Sequence, residues 1–248
     1  MHEAILNNLS ILLERGAFDT TPAGMTLQPM SPHKWRKMAD IAQRLNIMRF
    51  IGNGAELMKD DAVLSSVLLE ALEKNGYKTE EAAFDSTSAH LFNHWTQERL
   101  DDTREEEMNS HNTSDESLIL LDIIIKNAEY VITNDTSIEG IITMGRYIRA
   151  NKDKIDYDKL RSWLAHIGLV QIASMEGNML IDCLHFEASE LPFVTKPFPR
   201  ARKLFMHSII KVFGKHSFSN ATRMNVAMLE TISHRFMKAI SMVTDIEE

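Results

Sequence analysis

The chain has 248 residues, 44% of them hydrophobic and 25% charged, which suffices for one large helical domain or two small ones. Its single cysteine, Cys183, excludes an intrachain disulfide framework and fits a reducing compartment. No apolar run approaches the ~20 residues needed to cross a bilayer, the opening residues lack a signal-peptide pattern, and the net charge of −8 argues against a uniformly lipid- or nucleic-acid-binding surface. The expectation is a cytoplasmic protein with no membrane contact.

Along the chain, apolar residues recur at helical spacing. Ile5, Leu9, Leu12 and Leu13 form a first stripe, which Gly16 is expected to stop. Pro22, Gly24 and Pro29 mark a loop. Ser31-Pro32 reads as a helix start, with a capping serine and proline at the first helical position. Trp35, Met38, Ile41, Ala42 and Leu45 continue that helix on one face. Gly52 and Gly54 read as a turn between helices, since the third glycine of a dinucleotide loop and the lysine of a phosphate loop are both missing.

The next helix is expected from Asp60 or Asp61 through Leu72, ending at Asn75-Gly76. Another opens at Thr79-Glu80-Glu81 and carries Phe84, Leu91, Phe92 and Trp95 into a polar stretch, 101–117. Asp115 introduces a helix through Leu118, Leu121, Ile125 and Val131; its β-branched run is too long and too free of turn signals for a strand. Asn134-Asp135 breaks it. Helices follow through Ile138–Ile148, from Asp156 to Ile167, and over Val170–Leu184. Pro192, Pro197 and Pro199 form a connector, and helices over Ala201–Phe213 and Asn220–Val243 close the chain. No strand–helix alternation and no fixed-period repeat is present. The pattern predicts an all-α multi-helix bundle of roughly nine to eleven helices. Its N-terminal part covers 1–110 and its C-terminal part 115–248, with the two able to pack as one domain.

Several constellations invite chemistry. His90, His94 and Glu98 would share one helix face, but they depart from the His-Glu-x-x-His pattern and lie among Phe92 and Trp95, so a packing face is expected and no metal. Cys183 sits among Leu180, Ile181 and Leu184, which suits a small core residue better than a nucleophile partnered by His185. Asp156-Tyr157-Asp158 resembles a metal-binding acidic pair, yet it opens a helix, where a cap and a first-turn acid explain both carboxylates. Arg161 with His166, and Arg202 with His207, match the Arg-x4-His spacing of helical HEPN ribonucleases, a short motif that arises readily by chance.

The charge is uneven. From Lys196 to Lys238 the basic residues are Lys196, Arg200, Arg202, Lys203, Lys211, Lys215, Arg223, Arg235 and Lys238, against the single acid Glu230. Such a run is either a solvated helix face or a patch for phosphate. Its candidate phosphate- or nucleic-acid-binding residues are Arg200, Arg202, Lys203, His207, Lys211 and Lys215.

The order Thr136-Ser137-Ile138-Glu139-Gly140, then Arg146-Tyr147-Ile148-Arg149, Lys154-Ile155-Asp156-Tyr157, Trp163-Leu164-Ala165-His166 and Phe186-Glu187-Ala188-Ser189-Glu190-Leu191-Pro192-Phe193, resembles the C-terminal helical region of the bacterial nucleotidyltransferase family found in Bacteroidetes. Ser31-Pro32-His33-Lys34-Trp35-Arg36-Lys37-Met38 resembles that family's early helix. The resemblance covers a third to a half of the chain and rests on helix patterns. The family's α/β catalytic domain would fall near Ala82–Ser117, an interval too short for it and without its Gly-rich lysine segment or Gly-Asp-x-Asp element. The resemblance therefore implies a helical shell without the catalytic core, and no catalytic residue or cofactor carries over.

The resulting expectation is a non-catalytic helical protein that binds a macromolecular partner, namely another protein. The 15 methionines favour this by supplying adaptable apolar surface. One alternative is a nucleotide- or nucleic-acid-binding module using the basic C-terminal helices. The other is a HEPN-type ribonuclease built on Arg202 and His207.

Overall fold

A computed structural model describes residues 3–20, 26–74, 76, 89–91, 94–133 and 137–213. Among them are ten α-helices, one 3-10 turn and no strand, the all-α bundle that the periodicity predicts. No helix among the described residues is long and apolar enough to cross a membrane. The Thr79 helix start, Phe84, Phe92, the Asn134-Asp135 break, Lys215 and the Asn220–Val243 helix lie outside the described residues.

The first helix, α1 (Glu3–Phe18), buries Ile5, Leu9, Ile11, Leu12 and Leu13. It does not stop at Gly16. It runs on because α3 (Met48–Leu57) crosses it there at backbone distance. Gly52 and Gly54 also lie inside α3, so the expected turn is a helix. A Cβ on Gly54 would stand 2.0 Å from the Leu12 carbonyl oxygen, so the missing side chain serves close approach and not chain reversal.

Between them, α2 (Pro32–Arg44) begins at Ser31-Pro32 as expected, although the serine side chain makes no cap hydrogen bond. Trp35 and Met38 are among its fully buried side chains. The next helix, α4 (Ser66–Lys74), starts later than Asp60 or Asp61. The Asp61 carboxylate instead accepts from Val63 N at 2.8 Å, a local turn that competes with helix. Gly76 follows α4 at φ +75°, matching the Asn75-Gly76 stop signal.

The helix α5 (His94–Met108) has little apolar face, burying only Leu100, Thr103 and Glu107. Charged contacts hold it in place. Arg104 pairs with Asp122 of α6 (Asp115–Thr133) and donates to the Ala89 carbonyl at 3.0 Å. Glu107 accepts from Lys159 Nζ and from Ser114 N, each at 2.6 Å.

The second half is more regular. In α7 (Ile138–Asn151), Ser137 caps the start by accepting from Gly140 N at 3.0 Å. In α8 (Tyr157–Ile167), Asp156 accepts from Asp158 N and Lys159 N, and Gly168 closes the helix in the left-handed region at φ +86°. α9 (Val170–Leu184) is the central helix. Residues 172–180 are all buried, and α6, α7, α8 and α10 (Ala201–Phe213) pack around it. Each buried leucine or isoleucine of such a core contributes about 1.5–3 kcal/mol through burial. Buried apolar residues from Ile5 to Ile209 join in one cluster.

Candidate binding groove

The C-terminal ends of α1, α3 and α7 meet at an open groove of about 980 Å³. Arg15 and Phe18 come from α1, Asn53, Glu56 and Leu57 from α3, and Arg146 and Arg149 from α7; Asp19 and Lys59 stand at its rim. Four cations thus face two acids. Their placement follows from local physics, because the carbonyl ends of helices favour positive side chains. Arg146 and Arg149 lie three apart, so one helix face presents both.

Stacking and ion pairing fix these arginines. The Arg149 guanidinium lies 3.8 Å from the Phe186 ring centroid and 5.1 Å from that of Phe18. Phe18 and Phe186 meet edge to face at 5.2 Å. From the 3-10 turn Ala188–Glu190 that follows α9, Glu190 receives both forks of Arg149, at 2.9 and 3.3 Å. Burial opposes the charge on Glu190, but these bonds and one from Glu187 N hold its carboxyl below the usual range. Arg146 lies over Phe50 at 5.6 Å, and Arg49 lies over the same ring at 4.6 Å. Arg15 pairs with Asp19 at 3.1 Å and donates to its carbonyl at 3.1 Å.

Beneath this rim lies Glu14, only 1% exposed. Its two carboxylate oxygens each stand 3.0 Å from His185 Nδ1. Burial pushes the Glu14 carboxyl up, opposed by His185, Ser10 and Arg149. His185 itself adopts φ +51° as the residue capping α9, so the pair ties the C-terminal end of α9 to the last turns of α1.

The residues singled out from sequence are placed as follows. Arg200, Arg202, Lys203 and Lys211 are exposed along the entry to α10 and its length, whereas His207 is buried with Nε2 unpartnered among the described residues. Arg202 and His207 point about 140° apart around one helix, as any residues five apart do. The same holds for Arg161 and His166, and Arg161 pairs with Asp158. Asp156 spends its carboxylate on the α8 cap. His90 lies before α5 and not on it, so it shares no helix face with His94 and Glu98. Among the described residues no group of three or more His, Cys, Asp or Glu is placed to hold a metal ion. Burial, then Asp182, pushes the half-buried Cys183 thiol up to about 12, while His185 turns to Glu14.

The groove itself does not stand out in the sequence. Arg15, Lys59 and Arg146 are far apart along the chain, and only the Arg146–Arg149 spacing hints at a shared face. Comparison with protein-family models, with curated proteins and with solved structures finds no match for this chain.

Proposed function

We propose that this chain is a non-catalytic binding protein whose basic groove receives an acidic, partly apolar segment of another protein. One observation carries the reading: Arg15, Lys59, Arg146 and Arg149 converge on a single open groove that Phe18 and Leu57 also line. Leu57 is 53% exposed, an apolar side chain left to solvent beside four cations. Arginine forks match carboxylates in pairs, and an exposed leucine next to them suits an apolar ligand residue. The groove is open enough for an extended chain. Its helices present carbonyl ends, so attraction for an acidic ligand comes from the cationic side chains and not from backbone N–H groups. Within this reading, the resemblance to nucleotidyltransferase helical regions concerns the helical frame around the groove and supplies no catalytic role.

An array of short peptides that vary in charge and apolar content tests it. Acidic peptides containing leucine or phenylalanine should be retained by the wild type and lost from Arg146→Glu. Retention without charge preference, or unchanged in Arg146→Glu, would sink the reading.

A second reading has its own observation. Arg200, Arg202, Lys203 and Lys211 are all exposed, and α10 contains no acid. Such an exposed basic run supports contact with nucleic acid. Binding of short RNA or DNA should then weaken steeply with salt, because neutralised phosphates release counterions. Absence of binding at low salt removes this second reading.

A further inference from the structure

We infer that Asp19 occupies on Arg15 the place that a ligand carboxylate takes, so that groove binding begins by displacing an internal surrogate. This rests on the acidic-segment reading of the groove. Asp19 closes α1 with φ +53° and its backbone N–H donates to the Arg15 carbonyl at 3.1 Å. In return Arg15 donates Nη1 to the Asp19 carbonyl and pairs with its carboxylate, both at 3.1 Å. The backbone bonds hold Asp19 at the groove's rim whatever its side chain does. The carboxylate itself is 76% exposed, while the Arg15 side chain is 31% exposed and half-sunk in the lining.

Those two environments set the energetics. An exposed ion pair is weak and exchanges readily with solvent. A segment already held by Arg146, Lys59 and the apolar lining brings its carboxylate to Arg15 at high local concentration, and so displaces Asp19. Asp19 thereby does two things. It keeps the guanidinium extended toward the groove in the free protein, and it sets the loss of one ion pair against every ligand that brings a carboxylate to Arg15. A ligand without an acid at that register leaves the Arg15–Asp19 pair in place, so the effect of Asp19 on affinity reports whether a carboxylate reaches Arg15.

The decisive variant is Asp19→Asn. Asparagine tolerates the left-handed region as aspartate does, so the backbone bonds to Arg15 persist while the charge goes. The probe is a short fluorescent peptide of alternating glutamate and leucine, titrated by anisotropy on the full chain. Asp102→Asn, an exposed charge change on α5 away from the groove, is the control. Asp19→Asn should tighten binding about two- to fivefold, the range open to one exposed ion pair. Asp102→Asn should leave it unchanged, and Arg15→Gln should weaken it and abolish the gain from Asp19→Asn. Equal gains from both aspartate variants would reveal a bulk charge effect and overturn the inference. Wild-type binding that Asp19→Asn leaves unchanged would overturn the inference alone. No binding by any variant would overturn the groove reading and the inference together. Matching melting curves for the variants exclude misfolding as the cause.

Discussion

Gly16 of α1 and Gly54 of α3 let two helices cross with their backbones in contact. A Cβ built on Gly16 would lie 1.8 Å from the Phe50 carbonyl oxygen and 2.5 Å from Gly54 N. No rotamer change relieves such a clash, because the neighbours are main chain. The crossing also sets the width of the groove, since Gly16 lines it and Phe50 lies under Arg146.

Gly16→Ala is therefore expected to destabilise the protein. In an exposed helix the same change gains about 1 kcal/mol of helix propensity. Here the overpacking cost of about 1–3 kcal/mol or more outweighs it, because the helices must move apart. Urea unfolding measures the balance. A variant as stable as the wild type would mean that α1 and α3 do not cross this closely.

Asp156 gives a simpler test. Its carboxylate accepts from Asp158 N at 3.1 Å and from Lys159 N at 3.0 Å, and its own N–H donates to Ser117 Oγ at 2.8 Å. Only the first two bonds need the side chain. Asp156→Ala should cost about 1 kcal/mol, as loss of a helix cap does, and Asp156→Asn much less. A metal role predicts the reverse pattern, with stability unmoved in both variants and a metal-dependent melting shift in the wild type alone.

The Asp156 cap and the helix start at Ser31-Pro32 were legible because helix starts are decided by residues within one turn, although Ser31 leaves the capping bond unmade. The described helices of the second half were legible for the same reason. Gly16 and Gly54 carried a local signal that pointed the wrong way. Glycine weakens an isolated helix, and only the partner helix explains why both persist inside one. Asp61 shows the opposite failure, where a side-chain turn delays a helix that the acidic pair suggests. The Glu14–His185 contact spans 171 positions, so no spacing rule reaches it. The basic run from Lys196 was visible as composition, whereas the groove assembles cations from α1, α7 and the turn after α3, whose proximity is a property of the fold. The Arg146–Arg149 pair was the one fragment of it written locally.

Arg149 joins groove and core, and its replacement separates charge from shape. Lysine keeps the charge but loses the fork to Glu190 and the flat face over Phe186. Arg149→Lys should cost about 1 kcal/mol, combining a partly buried ion pair with a cation–π contact. Because Glu190's folded carboxyl is held below its unfolded value, its contribution is present above the ordinary carboxyl range. It is lost as pH falls through the folded value. Glu190→Gln should then narrow the stability difference between neutral and acid solution. An unchanged acid limb in thermal melts would show that the pair contributes nothing.

Glu176 runs the other way. It is fully buried in α9, with Oε2 receiving only a 3.5 Å contact from Asn127 Nδ2 and Oε1 unpartnered among the described residues. Burial pushes its carboxyl well above the ordinary glutamate range, and the Asn127 contact only partly opposes this. The folded state therefore holds the proton more tightly than the unfolded chain. Stability from this group is full below the unfolded value and is lost as pH rises toward the folded one, at up to about 1.4 kcal/mol per pH unit. Glu176→Gln removes the proton without removing the amide-like shape, so it should melt higher than the wild type in neutral and alkaline solution. The gap should widen as pH rises above the ordinary carboxyl range, where the two states differ in protons bound. Hydrogen exchange at the α9 amides supplies the local readout, with protection in the wild type falling as pH rises beyond the intrinsic exchange trend and protection in Glu176→Gln following that trend. A gap that stays constant with pH would show that Glu176 finds a charge-stabilising partner in the folded protein.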